Sequence, residues 1–195
     1  KQLANKYGLT EIELSEKIAA LNKKLFAERE KRIRPATDDK ILTAWNALMA
    51  RGFIDAYKAF GEEDFLNTAR GNLNFLIEKL CTTGNSVFRN YKNGKASIFG
   101  FLDDYAFLIS ALIEFYQVTF EEAYLQKALG MAEYVQAHFF EEETGMFLYT
   151  DDQHSDLIAR KMEVTDNVIR SSNSEMAKNL VLLSQDSENK IFEDQ

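Results

Sequence analysis

Apolar residues recur along this chain at the spacing of a helix face, in stretches parted by short polar breaks. Leu14, Ile18, Leu21 and Leu25 form the first stripe. Thr10-Glu11-Ile12-Glu13 opens it as a capping box, with Thr10 able to take the N3 amide while Glu13 reaches back. The pattern predicts an amphipathic helix ending near Arg32, stopped by Pro35, which pushes the preceding residue out of the helical region. Thr37, Asp38 and Asp39 are placed to cap the next helix, which runs from Leu42 to Phe60 and carries Trp45, Leu48, Met49, Ile54 and Tyr57. Gly61 marks its end, and a further helix runs from about Asp64 to Leu80 with Phe65, Leu66, Ala69, Leu73 and Leu76 at helical spacing. Val87 to Tyr91, Asn93-Gly94 and Ala96 to Phe99 then predict a short hairpin with a type I′ turn. The helical period returns from Asp103 or Asp104 to Val118 and from Glu121 to Phe140, before an extended Met146 to Thr150. It occurs a last time from Ser172 to Leu183.

These segments repeat. A shift of 59 residues lays Glu62 to Gly71 over Glu121 to Gly130 without a gap, and sets Ala47, Ile54 and Tyr57 on Ala106, Ile113 and Tyr116. One supersecondary unit, two helices followed by a small β element, is therefore used more than once. Residues 1 to 34 lead in, 36 to 100 form the first unit, 101 to 150 the second, and 166 to 184 begin a third that is not completed. A period longer than the roughly 34 or 40 to 47 residues of common helical repeats favours long hairpins with β excursions. The expectation is an all-α fold of repeated helical hairpins, part of an α/α toroid. A partial ring leaves apolar hairpin faces open, so self-association is expected.

Composition agrees with a helical domain: 46% hydrophobic residues supply a core, and one Pro with nine Gly leaves long stretches unpunctuated. The single Cys81 can form no internal disulfide, which fits a reducing, cytoplasmic setting. No run of 18 apolar residues is present to span a bilayer, and no signal peptide opens the chain, which begins at Lys1 and reads as cut from something longer. Residues 1 to 35 hold nine Lys/Arg against five Asp/Glu, leaving 14 against 26 for the rest. An acidic body argues against a nucleic-acid partner and leaves neutral or polyol ligands open. Neither His138 nor His154 has metal-ligand spacing, no phosphate loop or dinucleotide fingerprint occurs, and no cofactor is expected.

Reading copy against copy separates wall from site. Ala47/Ala106, Leu48/Phe107, Ile54/Ile113 and Tyr57/Tyr116 keep their character and satisfy the packing common to both units. The first turns diverge: Ala44-Trp45-Asn46, Asp103-Asp104-Tyr105 and Ser172-Asn173-Ser174. Equivalent helix ends carrying different polar groups are what a site shared between units would show. Asp103 and Asp104 read either as N-caps or as acid/base carboxylates. Being neighbours on a helix, they point in different directions, and glycoside cleavage needs an opposing carboxyl group, for which Asp38, Asp39 and Asp166 are candidates. Trp45 and Tyr105 read as core aromatics or as stacking platforms for a sugar ring. Asn is a poor helix-interior residue, so the recurrence of Asn46 and Asn173 points to hydrogen-bonding work, structural or ligand-directed. Ser172 and Ser174 have no His-Asp partner visible in sequence.

Three segments, Arg34-Pro35 with Asp38-Asp39-Lys40-Ile41-Leu42-Thr43-Ala44-Trp45-Asn46, Leu102-Asp103-Asp104-Tyr105-Ala106-Phe107-Leu108-Ile109, and Ser171-Ser172-Asn173-Ser174, resemble the YyaL-like, spermatogenesis-associated thioredoxin-domain-containing family. The likeness covers most of residues 8 to 184, with Arg170 standing where the family usually has Pro. It implies a thioredoxin-like domain upstream and a helical region similar to six-hairpin glycosidase and N-acylglucosamine 2-epimerase toroids. The family's motif residues, Lys40 and Ser174 among them, transfer as site candidates without roles; the divergent rim residues on a repeated scaffold lead to the expectation of a carbohydrate-active domain, hydrolase-like or epimerase-like, with a small sugar-like ligand at the inner-helix N-termini. The competing expectation is a non-catalytic helical scaffold or binding domain attached to the thioredoxin-like module.

Overall fold

The computed structural model describes residues 1–153 and 160–186, so His154 and the segment from residue 187 lie outside the described residues. The chain divides into two compact units, Lys1–Asp39 and Lys40–Gln195.

The first unit holds α1 (Gln2–Lys6) and α2 (Glu11–Glu30). Five residues are too few to show a helical period, so α1 left no signal in the apolar pattern. The capping box forms: Thr10 Oγ1 accepts the Glu13 amide at 3.2 Å, and Glu13 Oε2 accepts the Thr10 amide at 2.8 Å. These bonds hold the Glu13 carboxyl below its ordinary range. None of the 20 residues of α2 is buried, so the stripe through Ile18, Leu21 and Leu25 is amphipathic in sequence and open in the fold.

In the second unit, β1 (Ile41–Leu42) leads into α3 (Thr43–Phe60) and α4 (Glu63–Leu80), then β2 (Phe88–Lys92) and β3 (Lys95–Phe99). Next come α5 (Leu102–Thr119), α6 (Glu122–Phe139), β4 (Phe140–Glu141), β5 (Met146–Phe147) and α7 (Ser172–Asp186). Asn93 and Gly94 take positive φ values of 52° and 79°, as a type I′ turn requires. The strand β1 joins the hairpin as a third strand, pairing Ile41 with Tyr91. This corrects the expected cap of α3: its N-cap is Leu42, with no side-chain cap bond, because β1 separates Asp38 and Asp39 from the helix start. The smaller hairpin pairs Phe140 with Phe147.

The helix α5 lies at the centre, packed against α3, α6 and α7. Every residue from Asp104 to Phe115 is buried, as expected of a helix apolar nearly all round. Positions matched by the 59-residue shift build this wall: Ala47, Ala106, Ile54 and Ile113 are all fully buried. The same shift joins Gly61 and Phe120, which end α3 and α5 in the left-handed region at φ 71° and 57°. Their amides bond back to Tyr57 and Tyr116 at 2.8 and 2.7 Å, the αL cap in both copies.

Candidate functional site

The start of α5 is held between the residue leading into β2 and the segment that follows β5. The Gly100 amide donates to Val87 O at 2.7 Å and the Leu102 amide to Tyr149 O at 2.9 Å. A Cβ on Gly100 would sit 3.0 Å from Val87 O and 3.3 Å from Asp104 Cβ, so only glycine lets the chain pass this close.

Asp104 is fully buried and its carboxylate is fully engaged. Its Oδ1 accepts the Ala44 amide in the first turn of α3 at 3.1 Å. Its Oδ2 accepts the Phe101 amide at 3.1 Å and Arg89 at 2.8 Å. Asp104 thus caps its own helix and ties it to α3 and β2. Asp103 instead keeps an open edge, with 15% of its side chain exposed, while its Oδ1 accepts the Asp104 amide and Arg89, each at 3.1 Å. The expectation that the two aspartates point apart is corrected here: Asp103 folds back along the first turn, and both carboxylates meet on Arg89.

The Arg89 guanidinium lies over the Phe101 ring at 4.7 Å, and that ring meets Tyr149 at 5.2 Å. Burial, and then the Asp103 charge, push the Tyr149 hydroxyl to hold its proton more tightly than usual. Lys161 stands over the other aromatic of this pair, 4.9 Å from the Tyr149 ring centre. Burial and the Asp103 carboxylate push the Asp104 carboxyl up to about 7, against the pull of Arg89 and of the Phe101 and Ala44 amides. Two carboxylates sharing one cation therefore retain a proton into the neutral range.

The three inner-helix starts meet at one rim. Asp104 joins α5 to α3, Tyr149 O takes the Leu102 amide, and Asn173 at the start of α7 binds Phe147 through both backbone groups, each at 2.9 Å. Asn173 also donates to Glu163 O at 3.0 Å, so it pins two segments to α7. Asn46 donates to Leu42 O at 2.8 Å and accepts Asn72 of α4 at 3.1 Å. The recurrent asparagines are engaged with the protein itself. Tyr105, at the same repeat position, is fully buried; its hydroxyl accepts the Val87 amide at 3.0 Å and its ring stacks on Tyr134. That leaves no free face for a ligand. Asp166 Oδ1 accepts the Ser171 amide at 2.9 Å, which, with Ser174, holds its carboxyl below the usual range. Ser174 accepts Ser171 Oγ at 2.9 Å. Lys40 is an exposed residue of the second unit, and Asp38 and Asp39 are exposed residues of the first. Trp45 corrects the expectation of a core aromatic: it is 68% exposed.

Arg89 and Tyr149 were not among the candidates. A signal was present, because an arginine in a half-buried strand needs a carboxylate, and Asp103-Asp104 offers one more than a cap requires. Also unforeseen is a buried network in which Arg51 of α3 binds Glu114 of α5 at 2.7 Å and Glu175 of α7 at 2.8 Å. Glu114 stands out in sequence as the one charge within the apolar run from Tyr105 to Phe115. Among the described residues, no group of three or more His, Cys, Asp or Glu could hold a metal ion, and no helix is long and apolar enough to cross a membrane.

No family model matches the chain. It is 29% identical over 172 residues to human spermatogenesis-associated protein 20, covering 82% of this chain and 22% of that protein. Against the mouse protein of that name it is 30% identical over 195 residues, 92% of this chain and 24% of the relative. The chain thus spans about a quarter of the length of the curated relatives it matches. Among solved structures, a cellobiose 2-epimerase from Bacillus thermoamylovorans superposes with a TM-score of 0.66 at 18% identity, over 83% of this chain and 43% of the epimerase. An α-1,6-mannanase of Salegentibacter, inactivated by asparagine at two consecutive aspartates and bound to α-1,6-mannotriose, superposes with a TM-score of 0.62 at 10% identity, over 79% of this chain and 44% of the enzyme. The chain is a homologue of spermatogenesis-associated protein 20, built on the α/α toroid fold of the 2-epimerases and six-hairpin glycosidases.

Proposed function

We propose that this chain is part of a carbohydrate-processing α/α toroid, hydrolase-like or epimerase-like, with its ligand at the rim where α3, α5 and α7 begin. The observation that carries the reading is Asp103, a carboxylate locked in place by Arg89 and the Asp104 amide yet open to solvent on one edge. A fixed carboxylate accepts hydrogen bonds from vicinal hydroxyls, and Tyr149 adds a hydroxyl able to donate or accept beside it. Asp104 acts as a positioning residue: its oxygens are all taken by protein donors, and its work is to set the first turn of α5 against α3. A mannanase of this fold is inactive with two consecutive aspartates replaced by asparagine, and Asp103-Asp104 is a pair of the same kind in sequence. Of the candidates for an opposing carboxylate, Asp166 already accepts the Ser171 amide. In the longer protein the domain works beside a thioredoxin-like module, in the cytoplasm.

The test is calorimetric titration of the chain with α-1,6-mannotriose and cellobiose. Asp103→Asn keeps the acceptor for the Asp104 amide and removes the charge, so affinity should fall about tenfold or more while the thermal midpoint moves little. A second reading, a non-catalytic scaffold, is favoured by Asp104, which turns onto helix amides as a cap does. It predicts that Asp103→Asn lowers stability and leaves every sugar affinity unchanged.

A further inference from the structure

Trp45 is exposed where an inner-helix aromatic ought to be buried. Together with Leu48 and Met49 of α3, and with Val168 and Ile169 of the segment entering α7, it lines a hollow of about 470 Å³. Trp45 is 68% exposed, Met49 59%, Val168 96% and Ile169 45%, so this apolar surface is open to solvent on both walls. One wall is on α3, which packs against α5, and the other leads into α7, which packs there too. The residue before the indole, Ala44, gives its amide to Asp104, which places Trp45 at the rim that carries Asp103. The repeat sharpens the point: the 59-residue shift sets Trp45 on Asp104, so one rim position holds an indole in the first copy and a carboxylate in the second.

We propose that Trp45 is the stacking platform of a sugar subsite next to Asp103, taking the apolar face of a neutral pyranose ring while the hydroxyls at the ring edge reach the carboxylate. This rests on the carbohydrate reading above and adds to it the ligand's orientation and charge class. A flat, exposed indole flanked by methionine and aliphatic side chains matches the C–H face of a sugar ring, and convergent polar groups at one end fix its direction. Neutrality follows from the charges at the rim. Asp103 and Asp104 between them hold Arg89, and Glu163 adds a third carboxylate, whose charge reaches Tyr149. Lys161 is the other cation at Tyr149; with a proton retained by the aspartate pair, the carboxylates and cations named here balance, and neither cation is left over for a phosphorylated or acidic sugar.

Trp45 is the only tryptophan in the chain, which makes its emission a direct report on the subsite. The experiment titrates the chain with mannose, α-1,6-mannotriose and mannose 6-phosphate, following Trp emission and heat in parallel, and repeats this on Trp45→Ala and Trp45→Phe. The expected result is a saturable change in emission with the neutral sugars, and no tighter binding of the phosphate. Trp45→Ala should lose about tenfold in affinity at an unchanged thermal midpoint, and Trp45→Phe should stay within about threefold of the parent. Sugar binding by calorimetry with unchanged emission, and with Trp45→Ala within about twofold of the parent, overturns the stacking platform and leaves the Asp103 reading standing. Mannose 6-phosphate binding more tightly than mannose overturns the charge class. Absence of heat with every sugar overturns both this proposal and the function it rests on.

Discussion

Replacing Arg89 with methionine keeps most of the side chain's apolar length and deletes the one guanidinium that Asp103 and Asp104 share. Arg89 donates to Asp104 at 2.8 Å and to Asp103 at 3.1 Å, and Asp104 is fully buried, so the variant leaves two neighbouring carboxylates without a cation. Breaking a buried pair by removing one partner costs about 3 to 5 kcal/mol, and the partial exposure of Arg89 and Asp103 places this case near the lower end, about 3 kcal/mol at pH 8. The sign of the pH dependence follows from Asp104, whose folded carboxyl is pushed up to about 7 from an ordinary value of 3.8. A carboxyl raised in the folded state contributes stability that is full below its unfolded value and is lost as pH rises through the folded one. Without Arg89 the folded value rises further, so at pH 5 protonation relieves the unpaired charge and the loss shrinks to about 1 kcal/mol. Urea unfolding followed by circular dichroism at both pH values measures this. Arg89→Met combined with Asp103→Asn should recover at least about 1 kcal/mol at pH 8, because one of two like charges is gone. Equal losses at pH 5 and pH 8, or a loss below about 1 kcal/mol at pH 8, refute the shared-cation account.

Gly100→Ala forces a Cβ to within 3.0 Å of Val87 O and should cost about 1 to 3 kcal/mol in urea unfolding, whereas a neutral result would show that the rim tolerates a shift. Phe120→Gly relaxes an exposed side chain from φ 57° and should raise stability by about 1 kcal/mol, read as a higher thermal midpoint. Asn173→Ala removes three hydrogen bonds to Phe147 and Glu163 and should cost about 2 kcal/mol, with faster amide exchange at Met146 to Leu148.

Much of the fold was legible because long amphipathic helices repeat their apolar spacing, and a 59-residue echo fixes where each hairpin starts. Gly61 announced one helix end through its freedom in the left-handed region; Phe120, its equivalent, shows that the position and not the residue type is what the repeat preserves. The β1 strand escaped notice because two residues carry no period, and its presence is what displaces Asp38 and Asp39 from the cap of α3. The α2 stripe shows the limit of pattern: amphipathicity says which face would bury, not whether anything covers it. At the rim, the divergent first turns pointed to the right helix ends, yet side-chain direction decided the outcome. Spacing along an ideal helix sends Asp103 and Asp104 apart, whereas a first-turn aspartate can bend back to the following amide, and that brings both onto Arg89. Asn46, Asn173 and Tyr105 recur at one position because each ties its helix to a neighbouring strand or loop, a demand of packing that sequence cannot distinguish from ligand binding.

Amide hydrogen exchange of the chain with and without saturating α-1,6-mannotriose tests the central claim most directly. Placement of the ligand at the inner-helix starts predicts added protection within residues 44–49, 101–105 and 163–173, and none at the opposite helix ends near Gly61 and Phe120. Protection confined to those opposite ends, or to the first unit alone, would contradict it.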